Sequence, residues 1–337
     1  MLHTFPKILS AENSVSECNE TTDGEACCHS NFRTSIGGQA LIEGILMRGP
    51  EKQAIVCRTQ DGLIEKIDNL KFSKTSHSSW NIPFLRGIVI FIDSMVNGVR
   101  ALSYSANLLP EDEQESENKF DLWIENHFTE EKSQKVITYT AVILGVLLAV
   151  LLFTFLPTLL AGLFSGIREQ YFLRNLVEGG FRIVIFLLYI IIISKMKDMK
   201  RVFSYHGAEH KTIFCYEHGK QLTVENIRLE SRFHPRCGTS FLFVVIIISI
   251  LVNSIVTLSN TFARFGIHLL LIPVVVGISY EINRWCGGHD NLLSKILSAP
   301  GKWMQHFTTN EPDDSMIECA IRALQLVLPS TKGADAW

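Results

Sequence analysis

Four apolar blocks decide most of what this chain can become, because about 20 consecutive apolar residues, rising 1.5 Å each, cross the hydrocarbon core of a bilayer. The first block occupies 137–163 and is broken only by Thr, Tyr, Gly and Pro157. The second, about 177–194, contains FRIVIFLLYIIIIS, with Arg182 near its outer end, where a long side chain can snorkel. The third, 240–258, reads SFLFVVIIISILVNSIVTL, and the fourth, 265–282, reads FGIHLLLIPVVVGISYEI. The expected fold class is therefore an α-helical polytopic membrane protein with four transmembrane helices. A mean hydropathy of +0.20 over 337 residues is too high for an ordinary soluble chain of this size.

Basic residues in the short connections set the expected orientation. Lys195, Lys197, Lys200, Arg201, Lys211, Lys220, Arg228, Arg232 and Arg236 all lie between the second and third blocks. The other two connections carry only Arg168 and Arg174, and then Arg264. Basic loops stay in the cytoplasm, so the loop 195–239 and both termini are expected there, in a multi-pass protein of the cell membrane.

The rest of the chain divides around that membrane domain, 136–282. Residues 1–34 read as a disordered leader, with no signal-peptide core and a polar acidic run. Its Cys27-Cys28-His29 resembles a metal fragment but lacks ordered partners. Residues 35–80 read as a small cytoplasmic β region: AIVCRT and LIEKIDNL flank Gln60-Asp61-Gly62, a strand, turn and strand. Within 81–109, Phe84, Ile88, Phe91, Ile92, Met95, Val99 and Leu102 share one helical face. Arg86, Asp93 and Arg100 make that segment an amphipathic helix on the membrane surface or the sheet, not a span. A charged linker follows at 110–135. The tail, 283–337, carries a short helix opening at Asp313-Asp314, with Met316, Ile317, Ala320, Leu324 and Val327 as its apolar stripe.

The stretch SYHGAEHKTIFCYEHGK, in the loop 195–239, carries the chemistry. On a helix, His206 and His210 are four apart on one face, with Glu209 beside them. The pattern H-x-x-E-H offers two imidazoles to a metal and a carboxylate to take a proton from bound water. A polar helix whose histidines face water would read the same. FHPRCG adds His234 and Cys237 in the same loop, so the two pairs can converge. Four ligands, His206, His210, His234 and Cys237, make a closed structural zinc site; three leave a position for water, with Glu209 as its base. Zinc is the expected cofactor because a thiolate favours it over magnesium or calcium. Glu281, at the end of the fourth block, is a further candidate ligand, or a buried carboxylate needing a partner. His218 and His289 pair with nothing at ligand spacing, and His268, inside a span, is expected in a helix–helix hydrogen bond. In GGQALIEGILMRGP the glycine pair permits close backbone approach or a bulge, and Glu43 and Arg48 can pair with each other or meet a polar substrate.

IGGQALIEGILMRGP, PFLRG, YHGAEHKTIFCYE, LTVEN, HPRCGTSFL, PVVVGISYE and TTNEPDD, in that order, resemble the YqhQ-like bacterial membrane proteins across 35–327. That family is of unknown function and is described as predicted metal-dependent enzymes. The resemblance implies a metal at His206, Glu209, His210, His234 and Cys237 and marks Gly38, Gln39, Glu43, Met47 and Arg48 as a second functional stretch. It supplies no substrate.

Three functions fit these residues. One is a membrane zinc hydrolase acting on a peptide or lipid-linked substrate, with Glu209 as general base. Another is a non-catalytic membrane factor whose zinc clamps the loop while the β region and amphipathic helix hold a protein partner; the residues demonstrate no more than this. A small-solute transporter is the third, disfavoured by spans with few charges and no paired broken helices. Membrane lipid is an expected partner. Nucleic acid is not, since the net charge is −3 and no basic stripe or nucleotide-binding loop appears.

Overall fold

A computed structural model describes residues 32–70, 82–109 and 130–336, apart from 165, 167–169, 259, 290 and 332. The expected leader up to residue 31, the stretch 71–81 and residues 110–129 of the expected linker lie outside the described residues, whereas 130–135, also expected in the linker, are helical. Four strands, β1 (Gly37–Leu41), β2 (Gly44–Arg48), β3 (Lys52–Thr59) and β4 (Gly62–Asn69), form an antiparallel meander in the order β1-β2-β3-β4. GGQALIEGILMR is thus a hairpin, with Leu41 opposite Gly44 and Glu43 turning at φ 50. Gly62, at φ 126, closes the third hairpin, between β3 and β4, where a side chain would be strained.

Both faces of β2 and β3 are buried, which accounts for their nearly continuous apolar runs. Ile45, Met47, Ala54 and Val56 face α10 (Asp314–Val327) and α5 (Lys197–Glu217) in one core with Tyr205, Ala208, Ile317, Ala320 and Leu324. Leu41, Leu46, Ile55 and Cys57 pack on Ala101 of α1 (Leu85–Ala106). Each fully buried large side chain, such as Ile45, Ile317 or Leu324, contributes about 1.5–3 kcal/mol. α10 starts where its sequence says, Asp313 accepting from the Met316 N–H as N-cap. Residues 32–34, assigned above to the leader, are packed: Thr34 bridges to Ala336 and its N–H donates to Glu217.

Among the described residues, three helical stretches are long and apolar enough to cross a membrane: 136–162, Tyr171–Ser194 (α4) and Thr261–Gly288 (α8). The first combines α2 (Glu130–Val150) and α3 (Leu156–Gly162) through a π-helical turn at Leu151–Phe155. Four spans were expected. The third apolar block forms a shorter helix, α7 (Gly238–Asn253), of 16 residues, or about 24 Å against a core of about 30 Å. The cause is local: Cys237 caps its start, and residues beyond Ser254 leave the helix.

Inside the bundle, charge is buried. Arg182 does not snorkel; only 7% exposed, it donates to the Phe153 carbonyl, Ser249 Oγ and Glu178. Phe153 lies four residues before Pro157, which has no N–H to offer it, so Arg182 supplies the missing donor. Glu178 also holds Arg264 Nε at 2.9 Å, Thr158 Oγ1 at 2.8 Å and His268 Nδ1 at 3.1 Å. His268 therefore makes its expected interhelical contact.

α1 buries Gly87, Gly98, Ala101 and Ser105; of the expected apolar face, Phe91 meets Phe241 and Leu102 packs on the sheet's core, while Ile92 and Met95 are more than half exposed. Small residues let α1 approach Tyr280 of α8 and Gln39 of β1 closely. It is not among the three candidate spans. α6 (Val224–Arg228) and α9 (Leu292–Thr308) complete the fold.

Candidate metal centre

His206, Glu209 and His210 sit on α5, a helix buried almost all round from Tyr205 to Ile213. Gly207 makes that possible: a Cβ there would lie 2.0 Å from the Asn310 carbonyl oxygen. Cys237 reaches the same point from the N-cap of α7. One ligand atom from each of His206, His210 and Cys237 lies within 4.8 Å of the others, and His206 Nε2 is 3.2 Å from Cys237 Sγ.

Backbone carbonyls set the tautomers of both imidazoles. His206 Nδ1 is 2.8 Å from the Thr308 carbonyl, and His210 Nδ1 is 2.6 Å from that of Arg232. A carbonyl only accepts, so each Nδ1 carries a proton and Nε2 is the nitrogen that each ring would turn to a metal. Burial alone would lower the His206 pKa, but the Cys237 sulfur and Glu209 raise it to about 9. Burial would likewise raise the Cys237 thiol, yet His206 and His210 hold it well below its ordinary value, at a helix N-terminus that also favours a thiolate.

His234 does not complete a four-ligand set. Its Nδ1 accepts the Arg236 N–H at 3.3 Å, so Nε2 bears the proton and faces Glu217 Oε2 at 3.5 Å. Gln305 clamps its backbone on both sides, N–H and carbonyl. Burial pushes its pKa down to about 4, and the neutral ring lies tilted against Phe214 and His210. His234 walls the centre.

Glu209 is 5% exposed, and burial raises its carboxyl pKa. It accepts the Gly38 N–H, while Oε2 has no hydrogen-bond partner among the described residues. A Cβ on Gly38 would stand 3.0 Å from the Glu209 carboxyl carbon and 2.5 Å from the Leu46 carbonyl, so this glycine serves close approach. β1 and the centre face one cavity of about 500 Å³. Gly38, Gln39, His206 and Glu209 line one part of it, and Tyr189, Ile193 and Leu242 from the apolar helices another.

The remaining candidates pair elsewhere. Glu43 does not reach Arg48, because the five residues of β2 separate them by about 16 Å. Instead Glu43 holds Arg201 of α5 through two bonds, 2.5 and 2.6 Å, and Arg48 meets Asp93 of α1 at 2.9 Å. These pairs fasten α5 and α1 to the sheet that presents Gly38. Glu281 does not join the cluster; it accepts from Arg86 Nε at 2.7 Å and from the Phe84 N–H, tying α8 to α1. His218 meets Glu230, and His289 stacks on Trp285. Sequence reasoning missed the backbone carbonyls of Thr308 and Arg232, the Glu217–Gln305 hold on His234, and Glu178. Only Glu178 had a signal, a carboxylate within an apolar block.

A protein-family profile described as a protein of unknown function (DUF1385) matches residues 82–330, which include His206, Glu209, His210 and Cys237. The "Uncharacterized protein YqhQ" of Bacillus subtilis (strain 168) is 35% identical over 301 residues, 87% of this chain and 92% of that protein. No solved structure matches.

Proposed function

The chain belongs to the DUF1385 family of YqhQ-like proteins, whose function is unknown, and within it we propose a zinc-dependent hydrolase seated at the cytoplasmic face of the cell membrane. The observation that carries this reading is a three-residue ligand cluster on a cavity shared with a buried carboxylate that has one oxygen free. Structural zinc sites take four protein ligands, whereas catalytic sites take three and leave a position for water. His206, His210 and Cys237 would hold the ion, a donor set that suits zinc. Zinc there would supply an acidified water and a Lewis acid. Glu209 receives the proton of the attacking water and returns it to the leaving group, while the Gly38 N–H fixes its carboxylate.

The cavity's apolar wall suits a substrate whose greasy part stays in the membrane. β1 is an edge strand, and its residues line the cavity, which favours an extended peptide over other membrane-anchored substrates. In this reading α7 is the fourth span, with the bilayer thinning around it, and the basic loop 195–239 and both termini are cytoplasmic.

Metal analysis tests the proposal. The purified chain should hold one zinc, lost in His206→Ala, His210→Ala and Cys237→Ala and kept in His234→Ala and Glu209→Gln. Glu209→Gln should abolish cleavage of a membrane-tethered peptide library while remaining folded. A metal-free folded wild type overturns the reading. Loss of zinc in a folded His234→Ala protein would replace it with a closed structural clamp.

A further inference from the structure

Glu217, eight residues after Glu209 on α5, grips a piece of chain from before the sheet. Its Oε1 accepts the Thr34 N–H at 2.9 Å, while the ring of its neighbour Tyr216 meets Phe32 edge-on. Thr34 Oγ1 donates to Asp335 Oδ2 at 2.6 Å, the length of a hydroxyl bond to a carboxylate. The Tyr216 hydroxyl donates to the same oxygen at 3.1 Å. The Asp335 carbonyl takes the Ser35 N–H at 2.6 Å, and Thr34 forms an antiparallel bridge with Ala336. Thr34 and Asp335 are 301 residues apart in the chain, and both are buried.

From Thr34 the chain runs antiparallel to α5 as far as Glu209, whose carboxylate accepts the Gly38 N–H. Eight helical rises separate Glu217 from Glu209, about 12 Å. Four extended steps separate Thr34 from Gly38, about 13 Å. The strap 34–38 therefore lies along α5 with no slack between its two attachments. It also walls the metal cavity, which Thr34, Ser35, Ile36 and Gly38 all line. Its far end has little of its own to hold it. β1 is an edge strand, paired on one side only, and it opens on Gly37 and Gly38. No side chain packs there, and glycine is the residue with most freedom to lose. What precedes the glycines fixes them: Ile36 sits in the core with its N–H on Thr34 Oγ1 at 3.1 Å, and Thr34 sits on Asp335.

We propose that Asp335 is a positioning residue for Glu209: through Thr34 it holds the strap taut and so keeps the Gly38 N–H on the carboxylate beside the metal ligands. This role rests on Glu209 serving as general base of the proposed hydrolase; the hold itself does not. Tyr216, donating to the same oxygen, keeps the Asp335 carboxylate turned to the strap. None of these residues belongs to the ligand cluster His206, His210 and Cys237, so the hold and the metal can be separated.

Three substitutions test it in the full-length protein in detergent. Thr34→Val keeps the shape and removes the hydroxyl, Asp335→Ala removes its acceptor, and Thr34→Ser keeps the hydroxyl. Amide hydrogen exchange at Gly38, read by NMR with glycine-selective isotope labelling, reports the hold without any substrate. Exchange should quicken about tenfold or more in Thr34→Val and in Asp335→Ala, the scale of one lost bond to a charged group, and stay at the wild-type rate in Thr34→Ser. Combining Thr34→Val with Asp335→Ala should add little to either alone, since both cut one bond. Zinc content should be unchanged in every variant, and kcat for peptide cleavage should fall in the first two with KM held. Wild-type exchange at Gly38 in folded Thr34→Val and Asp335→Ala proteins, or equal quickening in Thr34→Ser, would overturn the proposal. A wild type that protects Gly38 yet cleaves no peptide would count against the hydrolase and not against the strap.

Discussion

Replacing Gly207 by Ala sets two physical effects against each other. By helix propensity alone, the change in mid-α5 should stabilise the chain by about 1 kcal/mol. The tertiary contact says otherwise. The new Cβ would stand 2.0 Å from the Asn310 carbonyl oxygen, against 3.4 Å for ordinary contact, so α5 and the segment after α9 must part by about 1.4 Å. That segment is tied back to α5, the Asn310 N–H bonding the Phe203 carbonyl and its side chain the Lys200 carbonyl. Overpacking of this kind costs about 1–3 kcal/mol or more, enough to reverse the propensity gain. The same segment carries the Thr308 carbonyl that orients His206, two residues before Asn310. Losing such an outer-shell bond weakens metal binding by about 10–100-fold. Thermal unfolding and zinc titration of Gly207→Ala should therefore show a Tm lower by a few degrees and a raised zinc Kd. Gly180→Ala, on α4 with nothing within 4 Å of the added Cβ, is the control and should be neutral or stabilising. A Gly207→Ala protein as stable as wild type, with the same zinc affinity, would refute the argument.

Two other outcomes follow from the polar contacts. Glu178→Gln should destabilise the bundle by about 3–5 kcal/mol, since it leaves Arg264 and Arg182 buried without their counter-charge; unfolding at the wild-type temperature would mean the cluster is not what pins these helices. Burial would raise the Glu230 pKa, but Lys220 and His218 hold it below the ordinary value, so its contribution is present above about pH 4.3 and lost as pH falls through the folded value. Wild type and Glu230→Gln should accordingly differ in Tm at pH 7 and converge as the pH falls below the folded value, and a gap independent of pH would contradict the assignment.

Much of this architecture is legible in the sequence, because it is encoded in local period and punctuation. Long apolar runs mark 136–162, α4 and α8. Asp-Gly turns β3 into β4, Asp313 with an apolar stripe writes α10, and spacings of three and four set His206, Glu209 and His210 on one side of α5. Even the two motif blocks that supply the ligand cluster are visible as strings. What the sequence does not carry is which partner each polar atom finds. His234 was an equal candidate ligand until Arg236 and Glu217 engaged both its nitrogens. Arg182 could have reached for water until Pro157 left the Phe153 carbonyl without a donor. The apolar face of α1 reads as one packing face, but its closest approaches are made by Gly87 and Gly98, and Ile92 and Met95 of that face stay more than half exposed. Nδ1 of His206 is set by a carbonyl 102 residues away. Burial pattern is a one-dimensional signal, repeated every two or 3.6 residues. A hydrogen bond between distant segments depends on how finished helices and strands dock, and only the tertiary structure decides that.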